Sequence, residues 1–84
     1  MELSRFHGIT VHMYHREHGP PHFHAYHGEY RVSVEIWSGT MRGRFPPRSL
    51  RLLLEWYDLH RAELIRNWTL IRDGSTPERI DPLA

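Results

Sequence analysis

Cysteine is absent from the 84 residues, and every one of the 11 basic charges is an arginine because lysine is absent too. Without thiols there is no disulfide framework, thiolate zinc finger or cysteine nucleophile, so a metal site must be built from His, Asp or Glu. Arginine's planar guanidinium is the better fork for phosphate. No apolar run is long enough to span a bilayer, and Met1-Glu2-Leu3-Ser4-Arg5 lacks the apolar core of a signal peptide, so a cytoplasmic protein with no membrane partner is expected. A glycine-rich phosphate loop, a His-Glu-x-x-His helix and a nucleophile elbow are also missing, which removes the motif-defined enzyme classes. The net charge of +1 is too small to demand an anionic partner. Histidine, with an ordinary pKa of about 6.5, lets positive charge grow in mild acid.

What the chain has is histidine. Seven of the eight fall between His7 and His27, and His18-Gly19-Pro20-Pro21-His22-Phe23-His24 places three imidazoles around a Pro-Pro turn. The spacing is not that of an expression tag, whose histidines run consecutively. With 39% hydrophobic, 12% aromatic and 25% charged residues, the composition is that of one folded domain over residues 1–84. A domain of this size has a modest core, and oligomerisation or a bound metal often adds stability.

The hydrophobic pattern predicts an α+β fold, β-rich over about 8–45 and helical over about 47–73. Ile9, Val11 and Met13 alternate with Thr10, His12 and Tyr14; Phe23 and Ala25 alternate with His22, His24 and Tyr26. Tyr30, Val32, Val34 and Ile36 form the clearest strand, Ser38-Gly39 supplies a turn, and a short strand over Thr40 to Phe45 follows. Short connections imply an antiparallel meander of three to four strands. Pro46-Pro47 then opens a helix whose apolar stripe is Leu50, Leu53, Leu54, Tyr57, His60, Leu64, Trp68 and Ile71. It is one helix, or a kinked pair broken near Asp58 to His60 with Asp58 as a cap, packed on one face of the sheet. Thr76 to Ala84 reads as an extended tail.

If register follows the alternation, the other face of the sheet carries Thr10, His12, Tyr14, His22, His24, Tyr26, Arg31, Ser33, Glu35 and Trp37. This set holds general acids, general bases and a phosphate holder. Three readings stand for its histidines. His18, His22 and His24 fit a metal site for zinc or nickel, with Glu35 or His12 completing it. His22, His24, Tyr26, Arg31 and Glu35 fit metal-free RNA cleavage, in which a base takes the 2′-hydroxyl proton, an acid protonates the leaving oxygen and a cation steadies the phosphate. The third reading is packing of the imidazoles over prolines and tyrosines. Arg42 and Arg44 make a basic strand edge, for phosphate contact or as guards of that edge. His60 reads as a hydrogen-bonded core histidine.

The runs Arg5-Phe6-His7-Gly8-Ile9, His18-Gly19-Pro20-Pro21-His22-Phe23-His24, Leu53-Leu54-Glu55-Trp56, Leu59-His60-Arg61 and Asn67-Trp68 resemble domain-of-unknown-function family 4160. The resemblance covers nearly the whole chain and extends to the closing Ile80-Asp81-Pro82-Leu83. It favours His18, His22 and His24, whereas His12, His15 and His27 depart from the family pattern. It implies a small bacterial protein in a toxin–antitoxin-like setting, with a small cognate antitoxin-like protein as partner, and assigns no activity. Two functions follow as expectations: a component that binds or cuts RNA through the His/Tyr/Arg/Glu sheet face, and a non-enzymatic protein-binding module with a histidine-rich zinc or nickel site. Exposed edges also make a homodimer an expectation.

Overall fold

Ile9, Val11 and Met13 are fully buried, as are Phe23, Ala25, Val34 and Ile36, while the residues between them are half-buried or exposed. The period-two pattern therefore has one dry face and one wet face, as the sequence predicts. A computed structural model of residues 1–84 arranges them as an α+β fold. Five strands, β1 (Glu2–Phe6), β2 (Ile9–His12), β3 (His22–His27), β4 (Tyr30–Glu35) and β5 (Met41–Arg44), form an antiparallel sheet in chain order. Two helices follow, α1 (Pro47–Leu59) and α2 (Arg61–Arg72).

The strand count exceeds the predicted three to four because of β1. A register irregularity between Glu2 and Ser4 buries both Leu3 and Ser4, so this strand does not alternate and leaves no period-two trace in the sequence. His7 and Gly8, with φ of 48° and 78°, make the two-residue turn into β2. At the far edge, Gly43 has φ of 116°, and a Cβ there would collide with the Arg31 carbonyl oxygen. Only glycine lets β5 lie against β4 at that point. Tyr30, assigned to the apolar set of β4, is exposed; it opens the strand directly after the turn at His27 to Tyr30. Trp37 is exposed in the turn after β4 instead of lying on the wet face of a strand.

Helix α1 starts on Pro46-Pro47 without a side-chain cap, consistent with proline's preset φ in a first turn. The pair is broken at His60, with φ of −120° and ψ of 22°. Asp58 does not cap α2; its carboxylate instead accepts a hydrogen bond from Arg61 at 2.9 Å. Leu53, Trp56, Tyr57, Leu64, Trp68 and Ile71 cover the dry face of the sheet in one core cluster. Trp56 packs against Phe6 and Phe23, and the Tyr57 hydroxyl donates to the Ile36 carbonyl at 2.6 Å. His60 is half-buried: its ring lies on Trp56 and bonds Glu63 at 2.6 Å.

The tail has no regular secondary structure, yet it is docked. Ile80 is buried, its N–H donates to the Leu3 carbonyl at 2.8 Å, and the Trp56 indole N–H donates to the Asp81 carbonyl at 2.8 Å. Buried Asn67 brackets Glu78 through two backbone hydrogen bonds. No helix is long and apolar enough to cross a membrane.

Candidate functional site

Register assembles the wet face in rows. Thr10, Tyr26, Arg31 and Arg44 stand side by side across β2 to β5, next to a row of His12, His24, Ser33 and Arg42, and His22 stands opposite Glu35. Residues directly opposite on neighbouring strands share a face, so sequence positions far apart become neighbours. Three of the five predicted catalytic residues, His22, His24 and Tyr26, come from β3, and the other two, Arg31 and Glu35, from β4.

The rings form a continuous path. Tyr26 meets His12 edge-on at 5.2 Å, His12 stacks on Tyr14 at 6.0 Å, and Tyr14 contacts His24 at 5.1 Å. His24 contacts His22 at 5.2 Å, and His22 in turn meets Trp68 of α2 at 5.1 Å. The Tyr14 and Tyr26 hydroxyls are 2.7 Å apart and hydrogen-bonded. Burial and that bond push the Tyr14 hydroxyl up to about 12, so it stays protonated at neutral pH. Burial also lowers the His12 imidazole, helped by the nearby N-terminal ammonium, which favours the neutral ring.

Beside the rings run two shallow depressions that share Ser33 and Arg42. One, of about 200 Å³, is lined by His18, Pro20, His22, Ser33, Glu35, Thr40 and Arg42; the other, of about 370 Å³, by His24, Tyr26, Arg31, Val32, Ser33, Arg42 and Gly43. The five residues predicted for catalysis are divided between the two, His22 and Glu35 lining the first and His24, Tyr26 and Arg31 the second. Arg31, Arg42 and Arg44 have no carboxylate within ion-pair distance, although Arg31 and Arg44 lie directly opposite each other. Glu35 accepts a hydrogen bond from the Ser38 hydroxyl at 3.2 Å.

The histidine cluster differs from the predicted ligand set in one member. The imidazoles of His22 and His24 converge with the carboxylate of Glu17, all three ligand atoms lying within 4.8 Å of one another; His18 is not part of the group. His18 is exposed and lines the first depression together with His22. The His24 Nε2–H donates to Glu17 Oε1 at 2.6 Å, and His22 Nε2 lies 3.3 Å from the same oxygen. Partial burial pushes the Glu17 carboxyl up, but the hydrogen bonds and charge of His24 and His22 outweigh it and hold the group below its ordinary value. The His22 Nδ1–H donates to the Pro20 carbonyl at 2.9 Å, which fixes the ring and leaves Nε2 facing the cluster. Glu17 escaped the sequence reading because it lies in the irregular segment between β2 and β3, where no periodicity tells which way a side chain points. Its one sequence signal is that it is the acidic residue next to His18.

The molecule is thus a small α+β protein whose sheet is covered by helices on one side and displays imidazoles, phenols and guanidinium groups on the other. A family model for the domain of unknown function DUF4160 matches residues 8–69, and the chain belongs to that family. No curated protein and no solved structure matches it.

Proposed function

We propose that the wet face of the sheet binds single-stranded RNA. The observation that carries this reading is the unbroken path of rings from Tyr26 through His12, Tyr14 and His24 to His22, bordered by Arg31 and Arg42, neither of which is in an ion pair. Unstacked bases gain about 1–3 kcal/mol each on such platforms, and guanidinium groups track the phosphates. Arginines directly opposite each other repel unless an anion lies between them, so Arg31 and Arg44 supply the complementary half of a phosphate contact.

A protein strand added to the sheet is the weaker reading for this region. The edge that would accept it, β5, is only 4 residues long and carries Arg42 and Arg44, both of which disfavour strand addition. The histidine and tyrosine rings on the face also offer stacking surface that a β-strand would not use.

Fluorescence anisotropy with a labelled single-stranded RNA at several salt concentrations tests the reading. Binding is expected to weaken linearly in log K against log salt, with the slope falling by about 0.7 for each phosphate contact removed in Arg31→Ala or Arg42→Ala. Tyr26→Ala is expected to lose about 1–3 kcal/mol of affinity without changing that slope. Absence of salt-sensitive binding, or binding indifferent to all three substitutions, would refute it.

A further inference from the structure

We propose that Glu17, His22 and His24 form a three-ligand site for a divalent first-row transition ion, with zinc as the reference metal. Two imidazoles and one carboxylate, without a thiol, are a donor set that zinc accepts, leaving a fourth position open to water or another ligand. The ligand atoms lie within 4.8 Å of one another, so they close on an ion by small side-chain movements. Metal–ligand bonds of about 2.0–2.2 Å in a tetrahedron set ligand atoms about 3.3 Å apart. Glu17 Oε1 and His22 Nε2 already stand at 3.3 Å, and the pair formed by Glu17 and His24 opens from 2.6 Å.

The outer contacts support the same assignment. Metal-bound histidines commonly donate the second ring N–H to a carbonyl, and the Pro20 carbonyl takes that role for His22. The ring of Trp68 braces the same imidazole from α2. Without metal, the Nε2 proton of His24 bridges to Glu17; on metal binding Nε2 gives up that proton, to Nδ1 of the same ring when His24 is neutral or to water when it is the imidazolium, and the freed lone pair takes the ion. Because a metal uses the ring nitrogens that metal-free RNA cleavage would need, His22 and His24 act as ligands instead of proton carriers. The site shares His22 and His24 with the ring path but requires neither Arg31 nor Arg42, so zinc binding is tested separately from RNA binding.

Isothermal titration of the full chain, purified without a histidine tag, with zinc chloride alone tests the site, with cobalt(II) absorption as a second readout of coordination. One zinc per chain is expected, together with the intense visible bands of low-coordinate cobalt and a rise in melting temperature. Glu17→Gln, His22→Ala and His24→Ala should each weaken zinc at least about 100-fold, the upper end of the loss seen when an outer partner alone is removed. His18→Ala and His15→Ala should leave affinity unchanged. Because Glu17→Gln keeps the size of the side chain, it decides the matter if a histidine variant fails to fold, far-UV circular dichroism showing which variants are folded. No stoichiometric zinc binding, full affinity in folded Glu17→Gln, or a loss in His18→Ala equal to that in His24→Ala would overturn the site.

Discussion

Asn67→Ala should release the C-terminal tail. The Asn67 side chain is only 1% exposed; its Nδ2–H donates to the Glu78 carbonyl at 2.7 Å and its Oδ1 accepts the Glu78 N–H at 2.7 Å. Alanine removes both partners, and each buried group left unpaired costs about 1–3 kcal/mol. The tail can partly lift into water, so the expected loss lies at the lower end for two groups, about 2–3 kcal/mol. For a domain of this size that lowers the melting temperature by roughly 8–24 °C. Thermal unfolding followed by circular dichroism gives the loss, and amide exchange at Ile80, whose N–H bonds the Leu3 carbonyl, reports the undocking directly. Asn67→Asp, which sets a second carboxylate oxygen against the Glu78 carbonyl and buries a charge, should cost at least as much as alanine. A loss under about 0.5 kcal/mol, the range of ordinary surface changes, would refute the clamp.

Gly43→Ala should cost about 1–3 kcal/mol in urea unfolding, because the residue sits at φ of 116° with the Arg31 carbonyl in the way; an unchanged midpoint would refute the close approach. Hydrogen bonds from Arg5 and Arg79 hold the Glu2 carboxyl down at about 2, against an ordinary value of 4.5. The unfolded chain therefore takes up that proton first, so this contribution is complete above pH 4.5 and is lost as pH falls toward about 2. Glu2→Gln should flatten stability in that window, and an NMR titration midpoint near the ordinary value would contradict the ion pairs. Ser4→Ala should leave stability unchanged or raise it by about 1 kcal/mol, since the buried hydroxyl has no partner; a loss above about 1 kcal/mol would show that it has one.

Much of the fold and part of the site were legible in the chain. Alternation in Ile9 to Met13, Phe23 to Ala25 and Val32 to Ile36 set which face is dry, and through it the company of His22, His24, Tyr26, Arg31 and Glu35 on the other. Strand β1 was not legible, because its irregularity buries adjacent residues and erases the period. Asn67 lies next to Trp68 on the buried side of α2, and an asparagine there carries no local sign that it holds the backbone of a residue 11 positions on.

By itself, then, the sequence determined the residue types available for chemistry and the dry side of each regular element, because both follow from composition and from periods of 2.0 and 3.6. It excluded thiol ligands and made arginine the chain's basic side chain. Only the tertiary structure decided which groups meet. Register set Arg31 opposite Arg44 and His24 beside His12, and the path of an irregular loop brought Glu17, instead of His18, onto the two imidazoles. The physical reason is that a strand's pattern constrains its own faces, whereas a loop's side chains are aimed by long-range closure of the chain between packed elements.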